Sequence, residues 1–400
     1  MQLEGLRGIA AIMVVGWHFV WAFMPWELGS VAGLPSNGLL GNPVIASIDG
    51  PAAVALFFVL SGFVLPLGFF RSGRTRTAAR AAAKRWLRLA GLSVVATLLS
   101  YALFRMGLFH YHQAARITGS QWLGSYGGAH PNGTFDPSLG GAVQEGLVGA
   151  FVNNADVYNP VLWTMRHELF GSFLSLGLAL VLWNARTSVC IGVLAVCAVL
   201  APLVNPWLIP FVVGTGLAYL FWTHGTRMRW GTAATCIAAG LYLFGYLQPT
   251  GAYAGIPVIQ DGAGFRYDRI LLHTLSALLI ILGLIGNDRV SRLLTARPFL
   301  VLARISFPIY LLHFPLLCSV ACGLFLLFQP GAGYSAGLAL AAAIYALLVF
   351  VVGYLFARVD EWWAVSLNRF TDLLAARTIG LARGFQQFMA RRAEDRQANG

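Results

Sequence analysis

Long runs of mostly apolar residues dominate the chain. Ten of them reach the length that a helix needs to cross a bilayer, about 20 residues. They cover residues 8–25, 52–70, 86–104, 161–183, 188–204, 207–223, 231–248, 270–286, 301–328 and 337–357. Turn-forming residues such as Pro51 and Gly331 separate several of the runs. The pattern predicts an all-α membrane protein, a single bundle of about ten transmembrane helices.

Two segments lack this pattern. Residues 105–160 contain the glycine-rich, polar stretch GGAHPNGTFDPSLGG, and a connection of this length is typical of a lid, a binding loop or a disordered segment. Residues 359–400 mix aromatic and basic side chains, which predicts an amphipathic helix on the membrane surface. The aromatic and basic residues of this tail include Trp362, Trp363, Phe370, Phe385, Phe388, Arg369, Arg377, Arg383, Arg391 and Arg392. We therefore expect a transmembrane domain at 1–358 and an amphipathic tail after it.

Composition and charge agree with this class. The chain is 58% hydrophobic and only 10% charged, which is too apolar for a soluble domain. Its net charge of +12 would suit nucleic acid, but the basic residues lie between the apolar runs, so no nucleic-acid partner is predicted. The connections between the runs alternate between the two sides of the predicted bundle. Together with the tail from Arg358, the connections of one side hold 19 lysines and arginines. Those of the other side hold only four: Arg105, Arg116, Arg266 and Arg269. The positive-inside rule then places both termini in the cytoplasm.

The five cysteines predict no special chemistry. Cys190, Cys197, Cys236, Cys318 and Cys322 all lie in apolar runs, and the chain has no CxxC motif. Such cysteines are typical small buried hydrophobes, so neither disulfides nor a metal site is expected.

Ionisable groups inside spans are costly and indicate function unless they are paired. His18 lies in the first run, and Arg7 directly precedes that run, eleven residues before His18. At 100° per residue they differ by about 20° in direction, so they share one helix face, about 16 Å apart along its axis. Alone, the histidine is best explained as structural; the aligned arginine favours function.

Four later stretches carry further polar groups, each open to a structural explanation. Ser61 in FFVLSGFVL fits helix packing, and Arg85 with Arg88 in KRWLRL fits either a phosphate clamp or topological anchoring. LWTMRHELFGSF contains Arg166, His167 and Glu168, and ARISFPIYLLHFPLL contains Arg304, Ser306, Tyr310 and His313. The last group is spaced mostly at three or four residues, so several members share a face. For both of these stretches, functional and structural explanations are balanced.

With these stretches in view, the chain resembles acyltransferase family 3, a family of integral membrane enzymes. LEGLRGIAAIMVVGWHF resembles its first-span Arg-and-His signature, and FFVLSGFVL its second span. KRWLRL resembles its Arg-x-x-Arg element, LWTMRHELFGS its Trp-Ser/Thr-x-x-x-Glu element, and ISFPIYLLHFPLL its late SYxLYLxHxP element. These motifs run in order from residue 3 to residue 317.

The resemblance implies about ten spans in the bacterial inner membrane and transfer of an acyl group, commonly acetyl from acetyl-CoA, to a hydroxyl. The acceptor would be a carbohydrate or a secreted small molecule. Acyl-CoA would be a co-substrate, with no permanently bound cofactor. His18 and Arg7 match the essential first-span pair, and Arg85 and Arg88 the pair associated with the donor.

We accordingly expect His18 to deprotonate the acceptor hydroxyl or to accept the acyl group first, because the pKa of histidine suits either role near neutral pH. Glu168 is expected near His18 on the acceptor side, with Arg166 keeping it ionised. The remaining polar residues would support the site: Ser61, His167, Arg304, Tyr310 and His313. The alternative is a transporter of a small polar substrate without acyl chemistry, since polar groups and broken helices at mid-membrane also describe a transport path.

Overall fold

A computed structural model of the protein describes residues 2–29, 39–131 and 135–398, with side chains described to residue 371 apart from positions 2 and 290. This part of the chain is helical and contains no strand, only an isolated bridge between Gln260 and Arg266. Its α-helices are α1 Gln2–Phe23, α2 Gly50–Ser72, α3 Thr75–Arg105, α4 Tyr111–Thr118, α5 Gln121–Gly124, α6 Leu139–Gln144, α7 Ala150–Val152, α8 Trp163–Leu182, α9 Thr187–Val204, α10 Ile209–His224, α11 Trp230–Phe244, α12 Tyr267–Gly286, α13 Asp288–Leu293, α14 Arg297–Leu316, α15 Cys322–Ala332 and α16 Tyr334–Ala398.

The predicted membrane class is confirmed. Within the described ranges, nine helices are long and apolar enough to cross a bilayer. They correspond to nine of the ten predicted spans. The remaining prediction, 231–248, falls on Trp230–Phe244, an apolar helix of only 15 residues, which at 1.5 Å per residue reaches about 22 Å. The chain is a multi-pass, all-α membrane protein.

Consecutive spans run in opposite directions, so the bundle has two distinct sides. We call the side that carries the short connection between α2 and α3, at Gly73 and Arg74, the basic side. The opposite side carries residues 106–160 and is called the loop side.

Glycines bring the central helices close together. A Cβ added at Gly8 of α1 would lie 2.6 Å from the backbone of Leu302 in α14, closer than side chains tolerate. A Cβ at Gly214 of α10 would lie 2.3 Å from the Val59 carbonyl oxygen in α2. Small residues allow such approach between helices in a membrane. The α1–α14 contact is the one that brings the predicted first-span residues against the late motif.

The loop-side connection is a folded unit in its described residues. It contains α4, α5, α6, the π-helical turn Glu145–Gly149 and α7. The Glu145 carboxylate accepts backbone hydrogen bonds from Val157 at 3.0 Å and Tyr158 at 2.9 Å, which ties the two ends of the unit together. Burial raises the pKa of Glu145 to about 7, against the effect of these amides. The sequence left three alternatives for this connection, a lid, a binding loop or a disordered segment, and its described residues are not disordered.

A proline in α14 creates one anchor for this connection. Pro315 has no backbone N–H, so the Leu311 carbonyl four residues earlier lacks its helical donor. The Asn159 side chain donates to that carbonyl at 2.7 Å. A π-helical turn, Leu317–Ala321, then links α14 to α15. Pro315 thus interrupts the hydrogen bonding only locally, within a long helix that runs over Arg297–Ala332.

The last span and the predicted tail form one helix. α16 runs from Tyr334 to Ala398, so the expected boundary at 358 falls within it. Up to residue 371 the helix packs on α3: Trp363 Nε1 donates to the Leu87 carbonyl at 2.8 Å, and Lys84 Nζ to Asn368 Oδ1 at 2.7 Å. The tail residues Arg377, Arg383, Phe385, Phe388, Arg391 and Arg392 lie outside the described side chains.

Candidate active site

A pocket of about 450 Å³ opens among α1, α2, α3, α8, α14 and α16. Four arginines line it, Arg7, Arg85, Arg88 and Arg304. Four carboxylates line it as well, Glu4, Glu168, Asp360 and Glu361. Most of these residues lie near the basic-side ends of their helices, so the mouth of the pocket is on that side. The site combines guanidinium groups suited to phosphate with carboxylates that compete for them.

Three of the arginines are ion-paired. Arg85 pairs with Glu168, which also accepts a hydrogen bond from Ser61 at 2.6 Å. Arg88 forks onto Asp360, with Nη2 2.7 Å from Oδ2. Arg304 forks onto Glu361 in the same way, at 2.5 Å.

Arg7 differs from the other three arginines. It lines the pocket and makes no ion pair with another residue of the described chain. Arg7 and Arg85 line the same pocket, where their two positive charges repel each other. A phosphate between the two would relieve this repulsion.

Two hydroxyl groups line the deep end of the pocket. The hydroxyls of Tyr310 in α14 and Thr164 in α8 share a hydrogen bond at 2.8 Å, and one of them can also donate to the Val161 carbonyl, which lies 3.1 Å from Tyr310 and 3.0 Å from Thr164. Thr164 and Glu168 are four residues apart, so the predicted Trp-Thr-x-x-x-Glu element presents both to the pocket.

A pair of histidines lies one helical turn beyond Tyr310. His18 Nδ1 is 2.8 Å from His313 Nε2, across 295 residues of sequence. His313 Nδ1 lies 3.0 Å from the Ile309 carbonyl and 2.8 Å from that of Tyr310. Carbonyls only accept, so His313 Nδ1 carries the proton and, in the neutral ring, Nε2 accepts. His18 Nδ1 must then donate, which leaves the lone pair of His18 on Nε2.

Aromatic rings enclose this histidine pair. The Phe314 ring stands edge-on to His18 at 5.8 Å. The Trp122 ring, from α5 of the loop-side connection, lies parallel to His18 with the ring centres 5.4 Å apart. His18 therefore lies between the charged pocket on one side and the loop-side connection on the other.

The structure brings together most of the predicted site residues but divides them between two places. Arg7, Ser61, Arg85, Arg88, Glu168, Arg304 and Tyr310 line the pocket. His18 and His313 form the pair above it. Glu168 lies with Arg85 and Ser61 rather than with His18, and no hydrogen bond or ion pair joins it to the histidine. The expectation that Arg166 holds Glu168 ionised is wrong, because the partner is Arg85 and the Arg166 side chain is exposed on another face.

His167 also lies apart from the pocket. Its Nδ1 donates to the Trp163 carbonyl at 2.9 Å, and its ring packs among Phe58, Trp163 and Trp207. This is the arrangement of a structural histidine with its hydrogen bond satisfied locally.

The sequence reasoning missed three residues that complete the site. Asp360 and Glu361 had been assigned to the tail, although an acidic pair directly after the last span is unusual there and could have drawn attention to them. Trp122 lies in a polar, glycine-rich connection, and no local pattern distinguishes it. Among the described residues, no cluster of histidine, cysteine and carboxylate side chains is arranged to hold a metal ion.

Comparison with known proteins assigns the family. No curated protein and no solved structure matches the chain. A family model described as an acyltransferase domain, that of acyltransferase family 3, matches residues 2–358. This match includes both histidines and every residue that lines the pocket except Asp360 and Glu361, and the chain therefore belongs to acyltransferase family 3.

Proposed function

We propose that this membrane acyltransferase moves an acyl group, acetyl in the simplest case, from acyl-CoA to a hydroxyl group. The acceptor would be a carbohydrate or a secreted small molecule. The basic side would face the cytoplasm and the loop side the cell exterior, in the bacterial inner membrane. The observation that carries this proposal is the position of the His18–His313 pair, between an arginine-lined pocket and the loop-side connection.

The pocket suits the polar end of the donor. CoA carries phosphates that cannot enter lipid, and guanidinium groups bind phosphate through two parallel hydrogen bonds. Arg7, Arg85 and Arg88 would bind these phosphates. The pantetheine arm would then extend past Ser61 toward Tyr310, and the thioester would reach the level of His18.

The histidine pair suits the chemistry of transfer. A hydroxyl is a weak nucleophile and needs a base beside its proton. His18 Nε2 would remove that proton while the hydroxyl oxygen bonds to the carbonyl carbon and the carbon–sulfur bond breaks. The proton then passes to the departing thiolate. His313 accepts the hydrogen bond from His18 Nδ1 and so keeps the reactive lone pair on Nε2.

Release of free thiol by the purified protein tests this proposal. Wild-type protein with acetyl-CoA and a panel of hydroxyl acceptors should release CoA thiol and form ester. His18→Ala should lower the rate by about 10²–10⁴-fold, which is the usual contribution of a general base, with CoA binding retained.

His112→Ala is the matched control. His112 is an exposed histidine of the loop-side connection, and its replacement should leave turnover unchanged. Folded wild-type protein that transports candidate substrates in vesicles and consumes no thioester with any acceptor would contradict the proposal and favour a transporter.

A further inference from the structure

The Trp122 ring, from α5, is stacked parallel to the His18 imidazole. The two ring planes differ by 1°, with centres 5.4 Å apart. The same indole lies parallel to Trp21, at 4.7 Å and 2°. Phe314 stands edge-on to Trp122 at 5.5 Å. The imidazole thus has an indole against one face and a hydrogen bond to His313 in its plane.

The chain around Trp122 is built to hold this ring in place. Ser120 caps α5 by accepting from the Leu123 amide at 3.2 Å, and its hydroxyl donates to the Trp21 carbonyl at 2.8 Å. Leu123 is fully buried. These contacts fix α5 to the loop-side end of α1, the helix that carries His18.

A second contact fixes the other end of the segment. Gly127 has a φ of +70°, and a Cβ there would lie 2.8 Å from Phe314 Cζ. Only glycine combines that backbone conformation with that approach. Since Phe314 also touches His18, the segment on both sides of Trp122 is fitted to the surroundings of the reactive histidine.

We propose that Trp122 is a positioning residue that makes the site a transferase rather than a thioesterase. Its ring fixes the plane of the His18 imidazole and excludes water from that face, so the acyl group passes to the bound hydroxyl. This rests on the proposed role of His18. Without the ring, water takes the acceptor's place: its oxygen bonds to the carbonyl carbon, the carbon–sulfur bond breaks, and the proton removed by His18 goes to the thiolate.

The proposal is tested by measuring how the acyl group divides between the ester of the acceptor and the free acid. In Trp122→Ala the ratio of ester formed to free acid formed should fall by about 2- to 10-fold, the factor that corresponds to one aromatic pair. Trp122→Phe should recover most of the ratio, whereas Trp122→Leu, which is apolar but has no ring, should not. Trp26→Ala, a loop-side tryptophan packed on Tyr334, is the control. A wild-type ratio of ester to acid in Trp122→Leu would overturn the proposal. The leucine variant also keeps the test valid if the alanine variant does not fold.

A second measurement needs no catalysis. In a background without native cysteines, His18→Cys should react with a membrane-impermeant thiol reagent from the loop side several times faster when Trp122→Ala is added. An unchanged labelling rate would overturn the proposal for Trp122. If labelling rises as expected and wild-type protein consumes no thioester, the proposed function fails and the enclosure of position 18 by Trp122 stands.

Discussion

The proton on His313 Nδ1 is held by two backbone carbonyls of α14, and the orientation of His18 depends on it. Ile309 and Tyr310 supply these carbonyls. Because they leave His313 Nε2 as an acceptor, the single residue His313 decides which nitrogen of His18 is free to act as a base.

Replacement of His313 should therefore lower turnover without weakening donor binding. His313→Ala leaves His18 Nδ1 without its partner, and a lost buried hydrogen-bond partner costs about 1–3 kcal/mol, or about 5- to 150-fold in rate. Steady-state kinetics with CoA binding measured in parallel would check this. His167→Ala is a close control, since His167 also donates Nδ1–H to the carbonyl four residues earlier, that of Trp163, and does not touch His18. Equal losses in the two variants would contradict a specific role for His313.

A second prediction for individual residues concerns the ion pair between Arg85 and Glu168. Both side chains are largely buried, and removing one member leaves the other charge without a counterion. Arg85→Met or Glu168→Met should each lower the free energy of unfolding by about 3–5 kcal/mol, and the double variant should recover much of that loss. Unfolding in mixed micelles measures it, with the exposed Arg166→Met as the control. If the loss of unfolding free energy in the double variant equalled the sum of the losses in the two single variants, the two side chains would not stabilise each other.

Among the helices, α16 contributes two carboxylates to the pocket proposed for the donor. Its carboxylates Asp360 and Glu361 lie against Arg88 and Arg304, in the positions where phosphate oxygens would bind. In the proposed function, the donor would therefore exchange a carboxylate partner for a phosphate at Arg88.

Asp360→Asn should tighten CoA binding, by about 5-fold or more, because it removes a charge-assisted hydrogen bond with which the phosphate competes. Equilibrium binding of CoA at two salt concentrations would measure the change. Asn368→Ala is the control, because Asn368 contacts Lys84 outside the pocket. Weaker CoA binding in Asp360→Asn would mean that the carboxylate orients Arg88 for the donor instead of competing with it.

For the whole molecule, the decisive question is which side of the membrane each end of the bundle faces. The connection between α2 and α3 and the start of α3 carry the densest group of basic residues, and the positive-inside rule predicts that they face the cytoplasm. In a background without native cysteines, Gln113→Cys on the loop side should react with impermeant reagent in intact cells. Ala79→Cys on the basic side should react only after permeabilisation; both positions are exposed. The reverse result would invert the proposed direction of transfer.

The sequence by itself determined the membrane class and nine helices of the described chain that are long and apolar enough to cross a bilayer. These follow from local properties, since the length of an apolar run and the charges at its ends decide whether it crosses lipid and in which direction. The first-span residues Arg7 and His18 also stood out locally, because a titratable group inside a span is costly wherever it lies. The fifteen-residue α11 shows the limit of this reasoning, since run length alone overestimated one helix.

Only the tertiary structure decided which polar groups meet. The 295 residues between His18 and His313 carry no local pattern that relates them, and their contact depends on how closely Gly8 lets α1 approach Leu302 of α14. Glu168 was expected beside His18 and Arg166 but contacts Arg85 and Ser61, because the position of a residue along a helix does not specify which neighbour its side chain faces. Trp122 could not be found at all from sequence, since its position over His18 depends on how the loop-side connection folds back onto α1 and α14.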